Sequence, residues 1–166
     1  MLKSLIFFLA ITASAQAGLK EQIITQSQKA GVDPALALAI VRVESSFNPA
    51  VVRFEPRFNT YSAGLFQVFL PTAKSLGFNG SLKELLTPGV NIFYGLKYLK
   101  LCRDRFGNNI ELNACCYNAG VAVRESVCVN NVGVREYVAG VVNAYRAGQT
   151  YAKQTPRDLE VQKSSD

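Results

Sequence analysis

The sequence predicts an all-α fold, one compact helical domain. Three observations predict it. Apolar residues recur at helical spacing in several segments, each opened by a cap residue or a proline and closed by glycine or asparagine. No segment alternates convincingly enough to form a strand ladder. The length of 166 residues suits one domain with a real core, and no repeat divides it.

Residues 1–17 read as a secretory signal peptide. Lys3 supplies the positive start, residues 5–11 the apolar centre, and Ala15-Gln16-Ala17 a small-x-small cleavage site. The competing reading is an uncleaved N-terminal anchor, although the apolar run is short for a membrane span. Cleavage would remove Lys3 and lower the formal charge from +6 to +5. The expected location is therefore the periplasm or the exterior. A basic exported protein suits an acidic polymer. The basic residues are scattered rather than interleaved with aromatics, so nucleic acid is not the expected partner.

Residues 18–146 form the expected domain. A first amphipathic helix runs from Gly18 to a stop at Gly31. The second starts at Asp33-Pro34, a cap followed by a first-turn proline. Leu36, Ile40, Val43 and Phe47 make its buried stripe, and Asn48-Pro49 ends it. Glu44 lies at the edge of that stripe. A carboxyl that loses hydration there holds its proton toward neutral pH, as a general acid requires. The plainer reading is a solvated glutamate, or one paired with Arg42, Arg53 or Arg57.

Residues 50–62 read as a loop bearing charges and aromatics. Ser62-Ala63-Gly64-Leu65-Phe66-Gln67-Val68 then carries one amide within an apolar run. Gln67 is costly to bury without partners. Either the segment walls a groove and bonds a polar ligand, or Gln67 bonds backbone. Residues 71–76 form a short helix, and residues 78–86 a surface connection. The helix from Thr87-Pro88 to Gly107 is heavily apolar and is expected at the centre of the core, with Gly95 admitting another helix. Residues 110–119 form a further helix that delivers Tyr117-Asn118 beside the stop at Gly120. Residues 121–132 are not resolved by pattern, residues 133–146 are helical, and residues 147–166 form a flexible polar tail.

The chain contains no histidine, which removes Ser-His-Asp and Cys-His sites and the usual histidine-ligated zinc hydrolases. Carboxylate chemistry is what remains. Of the cysteines Cys102, Cys115, Cys116 and Cys128, the adjacent pair bridges poorly to itself. Cys102 and Cys128 would each take one of that pair, in either of two connectivities. Zinc is disfavoured by the spacing, and simple burial in the core is the competing use. No metal or other cofactor is expected.

Three stretches resemble one family when taken in register: Glu44-Ser45 with Phe47 and Pro49, then Gly64-Leu65-Phe66-Gln67, then Tyr117-Asn118-Ala119-Gly120. Asn91-Ile92 with Gly95, Tyr98 and Leu99 adds to the pattern. Their order resembles the catalytic domain of soluble-type lytic transglycosylases, a goose-lysozyme-like fold that cleaves peptidoglycan glycan strands. The resemblance implies that Glu44 is the catalytic acid and then base, and that Tyr117 orients it. It implies that Ser45, Ser62, Gly64, Phe66, Gln67 and Asn118 serve the substrate groove. Phe66 stands where the family usually has methionine, Cys115 and Cys116 replace alanines, and Val121 replaces a common proline. Small size, the leader and the cysteines resemble members that accompany secretion, conjugation or pilus machines. A water-using muramidase and a non-catalytic wall-binding scaffold are the alternatives.

Overall fold

The computed structural model describes the backbone of residues 2–153 and the side chains of residues 16–149. Eight helices and a small sheet make up this part of the chain. Helix α1, Leu2–Ala30, is unbroken across the expected cleavage site. It ends where Gly31 turns left-handed (φ 69°), and the Val32 N–H closes onto the Ser27 carbonyl. Side chains of the leader's apolar centre lie outside the described residues. No helix among the described residues is long and apolar enough to cross a membrane.

Helix α2, Pro34–Ser45, begins as expected, with the Asp33 carboxylate accepting from the Ala35 N–H at 2.8 Å. Every residue from Ala35 to Val41 is buried, so α2 is enclosed rather than striped. It packs against α1 on one side and α8, Val132–Lys153, on the other. Helix α8 continues through Gly148, so the expected tail is helical to Lys153, and residues 154–166 lie outside the described residues.

The expected loop after α2 is instead a three-stranded antiparallel sheet: β1 Val52–Glu55, β2 Thr60–Ala63 and β3 Val68–Phe69. A 3-10 turn at Pro56–Phe58, with Asn59 at φ 47°, joins the first two strands. Phe54 faces Tyr61 and Arg53 faces Ser62 across the hairpin. Alternation failed as a signal because β1 is largely solvent-exposed on both faces, so neither needs to be apolar.

Helices α3 Leu70–Ser75 and α4 Leu82–Leu85 follow. The latter falls within the expected connection and is held by a capping box between Ser81 and Glu84. Helix α5, Pro88–Phe106, contributes Ile92, Leu96 and Leu99 to the core. Gly95 admits the Phe66 ring rather than a helix: a Cβ there would lie 2.3 Å from Phe66 Cγ. Helix α6, Ile110–Ala119, packs on α5 and α8, and α7, Glu125–Asn130, fills the stretch that pattern left open. Disulfides Cys102–Cys116 and Cys115–Cys128 select one of the two connectivities, tying α6 to α5 and to α7.

Candidate active site

Glu44 occupies the last turn of α2 and lines a groove of about 460 Å3. The helix cannot continue past it. Ser46 and Phe47 both take left-handed backbone angles, φ 51° and 63°, and the chain turns away before Pro49. Ser45 ties this helix end to the next segment, its hydroxyl donating to the Leu65 carbonyl at 2.8 Å and lying 3.2 Å from the Val41 carbonyl.

The Gly64–Gln67 turn is fixed from below. Buried Asn91 accepts from the Phe66 N–H at 2.8 Å and donates to the carbonyls of Ala63 and Leu85 at 2.8 and 3.0 Å. Gly64, at φ 76°, leaves room for that amide, since a Cβ would sit 2.4 Å from Asn91 Nδ2. Gln67 lines the groove. Its Nε2 donates to the carbonyls of Val51 and Gly64 at 3.0 and 2.9 Å, and its buried Oε1 has no partner among the described residues. The backbone reading of Gln67 thus accounts for its donor, while the residue also lines the groove.

The Tyr117 hydroxyl does not hold Glu44. It donates to the Phe66 carbonyl at 2.9 Å, an acceptor that the tight turn leaves without a ladder partner. Tyr137 holds Glu44 instead, donating to Oε1 at 2.8 Å from the inner face of α8. At helical spacing Tyr137 shares the core-facing stripe of α8 with Val134, Val138 and Val141. A phenol on such a stripe needs an acceptor, and that was the available signal. Burial pushes both phenols well above the usual tyrosine pKa, and the nearby Glu44 charge adds to this.

Burial raises the Glu44 pKa above 4.5, against the lowering effects of the Tyr137 hydrogen bond and of Arg53. Arg53 Nη1 stands 4.0 Å from Glu44 Oε2, so the expected pairing with Arg53 is present but long. Glu55 adds a further upward push. Arg53, Glu55 and Ser62 bring the hairpin face to the groove, and Tyr117 and Asn118 bring the end of α6.

Three residues expected at the groove serve it from behind. Phe66 is fully buried, seated against Gly95 with its ring 6.5 Å from that of Tyr117, so it is a core residue and no platform for a sugar. Gly64 makes room for Asn91, and the Ser45 hydroxyl is committed to backbone. Ser62, Gln67, Tyr117 and Asn118 line the cavity with Glu44. Phe58, Phe69 and Tyr98 also line it, and the sequence did not single them out for the site.

The family model described as Transglycosylase SLT domain matches residues 21–136. The chain belongs to this family. Among curated relatives of the SLT domain, the chain is 38% identical over 87 residues to membrane-bound lytic murein transglycosylase C of Histophilus somni, covering 48% of this chain and 23% of the relative. It is 33% identical over 111 residues to soluble lytic murein transglycosylase of Escherichia coli, covering 63% and 16%. It is 31% identical over 145 residues to membrane-bound lytic murein transglycosylase C of Shigella sonnei, covering 79% and 38%. The matches thus span well under half the length of each relative. Among solved structures, the 70-kDa soluble lytic transglycosylase of Escherichia coli superposes with a TM-score of 0.63 at 29% identity, over 77% of this chain and 23% of that one. An inactive mutant of lytic transglycosylase Slt from Pseudomonas aeruginosa superposes at 0.65 with 23% identity, over 82% and 25%. The helical fold expected from the SLT resemblance is the fold of these structures.

Proposed function

We propose that this chain is an exported lytic transglycosylase that cleaves the β-1,4 bond between N-acetylmuramic acid and N-acetylglucosamine in peptidoglycan. The observation that carries the reading is Glu44 itself, a carboxyl with a burial-raised pKa in the lining of a groove, held by the Tyr137 hydroxyl at 2.8 Å. Cleaving a glycosidic bond needs a proton on the leaving oxygen, and a carboxyl whose pKa is raised by burial is better able to hold and supply it. Once deprotonated, Glu44 accepts the proton of the 6-hydroxyl of the same N-acetylmuramic acid. That oxygen attacks the anomeric carbon and closes a 1,6-anhydro ring, consuming no water. Tyr137 and Arg53 stabilise the carboxylate between the two transfers. Ser62, Gln67, Tyr117 and Asn118 line the path of the glycan strand, and scattered basic charge suits its acidic peptide stems.

The leader-like N-terminus supports a site of action in the periplasm or outside the cell. Service to a secretion, conjugation or pilus machine, by opening the wall locally, is the wider role we assign.

The test is Glu44→Gln on purified sacculi, with released muropeptides read by mass spectrometry. The native protein yields anhydro-muramyl ends, and the variant loses about 10² to 10⁴ in rate. Equal clearance by the variant would remove Glu44 from the chemistry.

A further inference from the structure

We propose that Glu55 is a second catalytic carboxylate, a base for water, so that this site also hydrolyses the glycosidic bond. The proposal rests on the transglycosylase reading above. The hairpin register sets it up. Arg53 lies opposite Ser62 and Glu55 opposite Thr60. The pleat sends Arg53 and Glu55 to one face and turns Phe54 to the other, where its ring meets that of Tyr61 at 5.2 Å. The face that carries Arg53, Glu55 and Ser62 is the one that lines the groove with Glu44.

Glu55 is held there by a hydrogen bond of its own. The Ser62 hydroxyl donates to its Oε1 at 2.9 Å, and its second oxygen makes no hydrogen bond among the described residues. A carboxylate fixed through one oxygen presents the other to whatever enters the groove. Glu55 also acts on Glu44 electrostatically, so the two groups share one field. They reach the cavity from separate elements, Glu44 from the end of α2 and Glu55 from β1. A protonated carboxyl and an anchored carboxylate in one groove are the equipment of a two-carboxyl glycosidase.

The step balances as follows. The Glu44 proton passes to the glycosidic oxygen as its bond to the anomeric carbon breaks. A water oxygen bonds to that carbon, and the water's proton passes to Glu55. One water is consumed and a reducing end is left. Glu55 then releases its proton to solvent, and Glu44 takes one up. The 6-hydroxyl and water therefore compete for one carbon, the first served by Glu44 as base and the second by Glu55.

The experiment digests purified sacculi with the whole protein and sorts muramyl ends by mass into anhydro and reducing forms. Native protein is expected to release both. Glu55→Gln should lower the ratio of reducing to anhydro ends at least about tenfold, the low side of what a general base contributes. Glu55→Asp, which keeps the carboxylate, should restore part of that ratio. An unchanged ratio in Glu55→Gln overturns the proposal, even if total turnover or its pH profile moves, because Glu55 would then only bias the Glu44 proton. The absence of reducing ends from native protein overturns it as well. Reducing ends that depend on Glu55, without any anhydro ends, support Glu55 and overturn the transglycosylase reading instead.

Discussion

Tyr137 donates its hydroxyl to Glu44 Oε1 at 2.8 Å, joining two residues 93 positions apart in the chain. Helix α8 brings the phenol to α2, and the bond fixes one carboxyl oxygen while the other faces Arg53 at 4.0 Å. The direction of this carboxyl is thus set by a helix that carries none of the three site motifs.

Replacing Tyr137 with Phe removes that bond and keeps the ring. Because the hydroxyl lowers the Glu44 pKa, its loss moves it further up. The descending alkaline limb of the pH–rate profile should therefore shift to higher pH. The rate on sacculi should fall about tenfold, in line with a hydrogen bond to a charged group. A purely structural role would lower activity without moving the limb.

Glu44 should weaken the fold at high pH. Its folded-state pKa lies above the ordinary value of 4.5, so the folded chain keeps a proton that the unfolded chain has released. The penalty starts as pH rises through that ordinary value and is complete above the folded-state pKa. Glu44→Gln, uncharged throughout, should melt higher than the native protein near pH 8. The gain should vanish at about pH 3, where both forms are neutral. Thermal unfolding at the two pH values checks the sign.

Asn91 and Gly95 hold the groove turn in place, and both should be intolerant. Asn91→Ala strands the Phe66 N–H and the Ala63 and Leu85 carbonyls in a buried setting, at roughly 3 kcal/mol or more. Gly95→Ala drives a methyl into the Phe66 ring, at about 1–3 kcal/mol. Urea unfolding of each variant measures these costs, and activity should fall with them because Gln67 rides on the same turn.

The disulfides close short loops, with partners 14 and 13 residues apart. Each should contribute on the order of 3 kcal/mol. Melting with and without a reductant should show a clear drop on reduction. The intact mass should sit about four hydrogens below that of the reduced protein, and labelling of all four thiols without reduction would refute both bridges.

Much of the helical frame was legible in the sequence because its signals are local. Asp33-Pro34 starts a helix and Gly31 stops one through backbone rules that act within a few residues. The shielding of the Glu44 side chain was legible as well, since helical spacing sets it one turn from the buried Ile40. The hairpin was not, because β1 is mainly exposed and needs no apolar face.

What only the tertiary structure decided is where each polar group finds its partner. The sequence sets how many hydroxyls and amides must be satisfied, but packing sets which acceptor lies nearest. Tyr117 meets the Phe66 carbonyl, and Tyr137 takes the carboxyl that Tyr117 was expected to hold. Phe66 sinks against Gly95 because its turn is pinned by Asn91, twenty-five residues away. Cys102 takes Cys116 and leaves Cys115 to Cys128 because adjacent residues on a helix point in different directions. Such choices depend on distances between elements remote in sequence, and no local pattern encodes them.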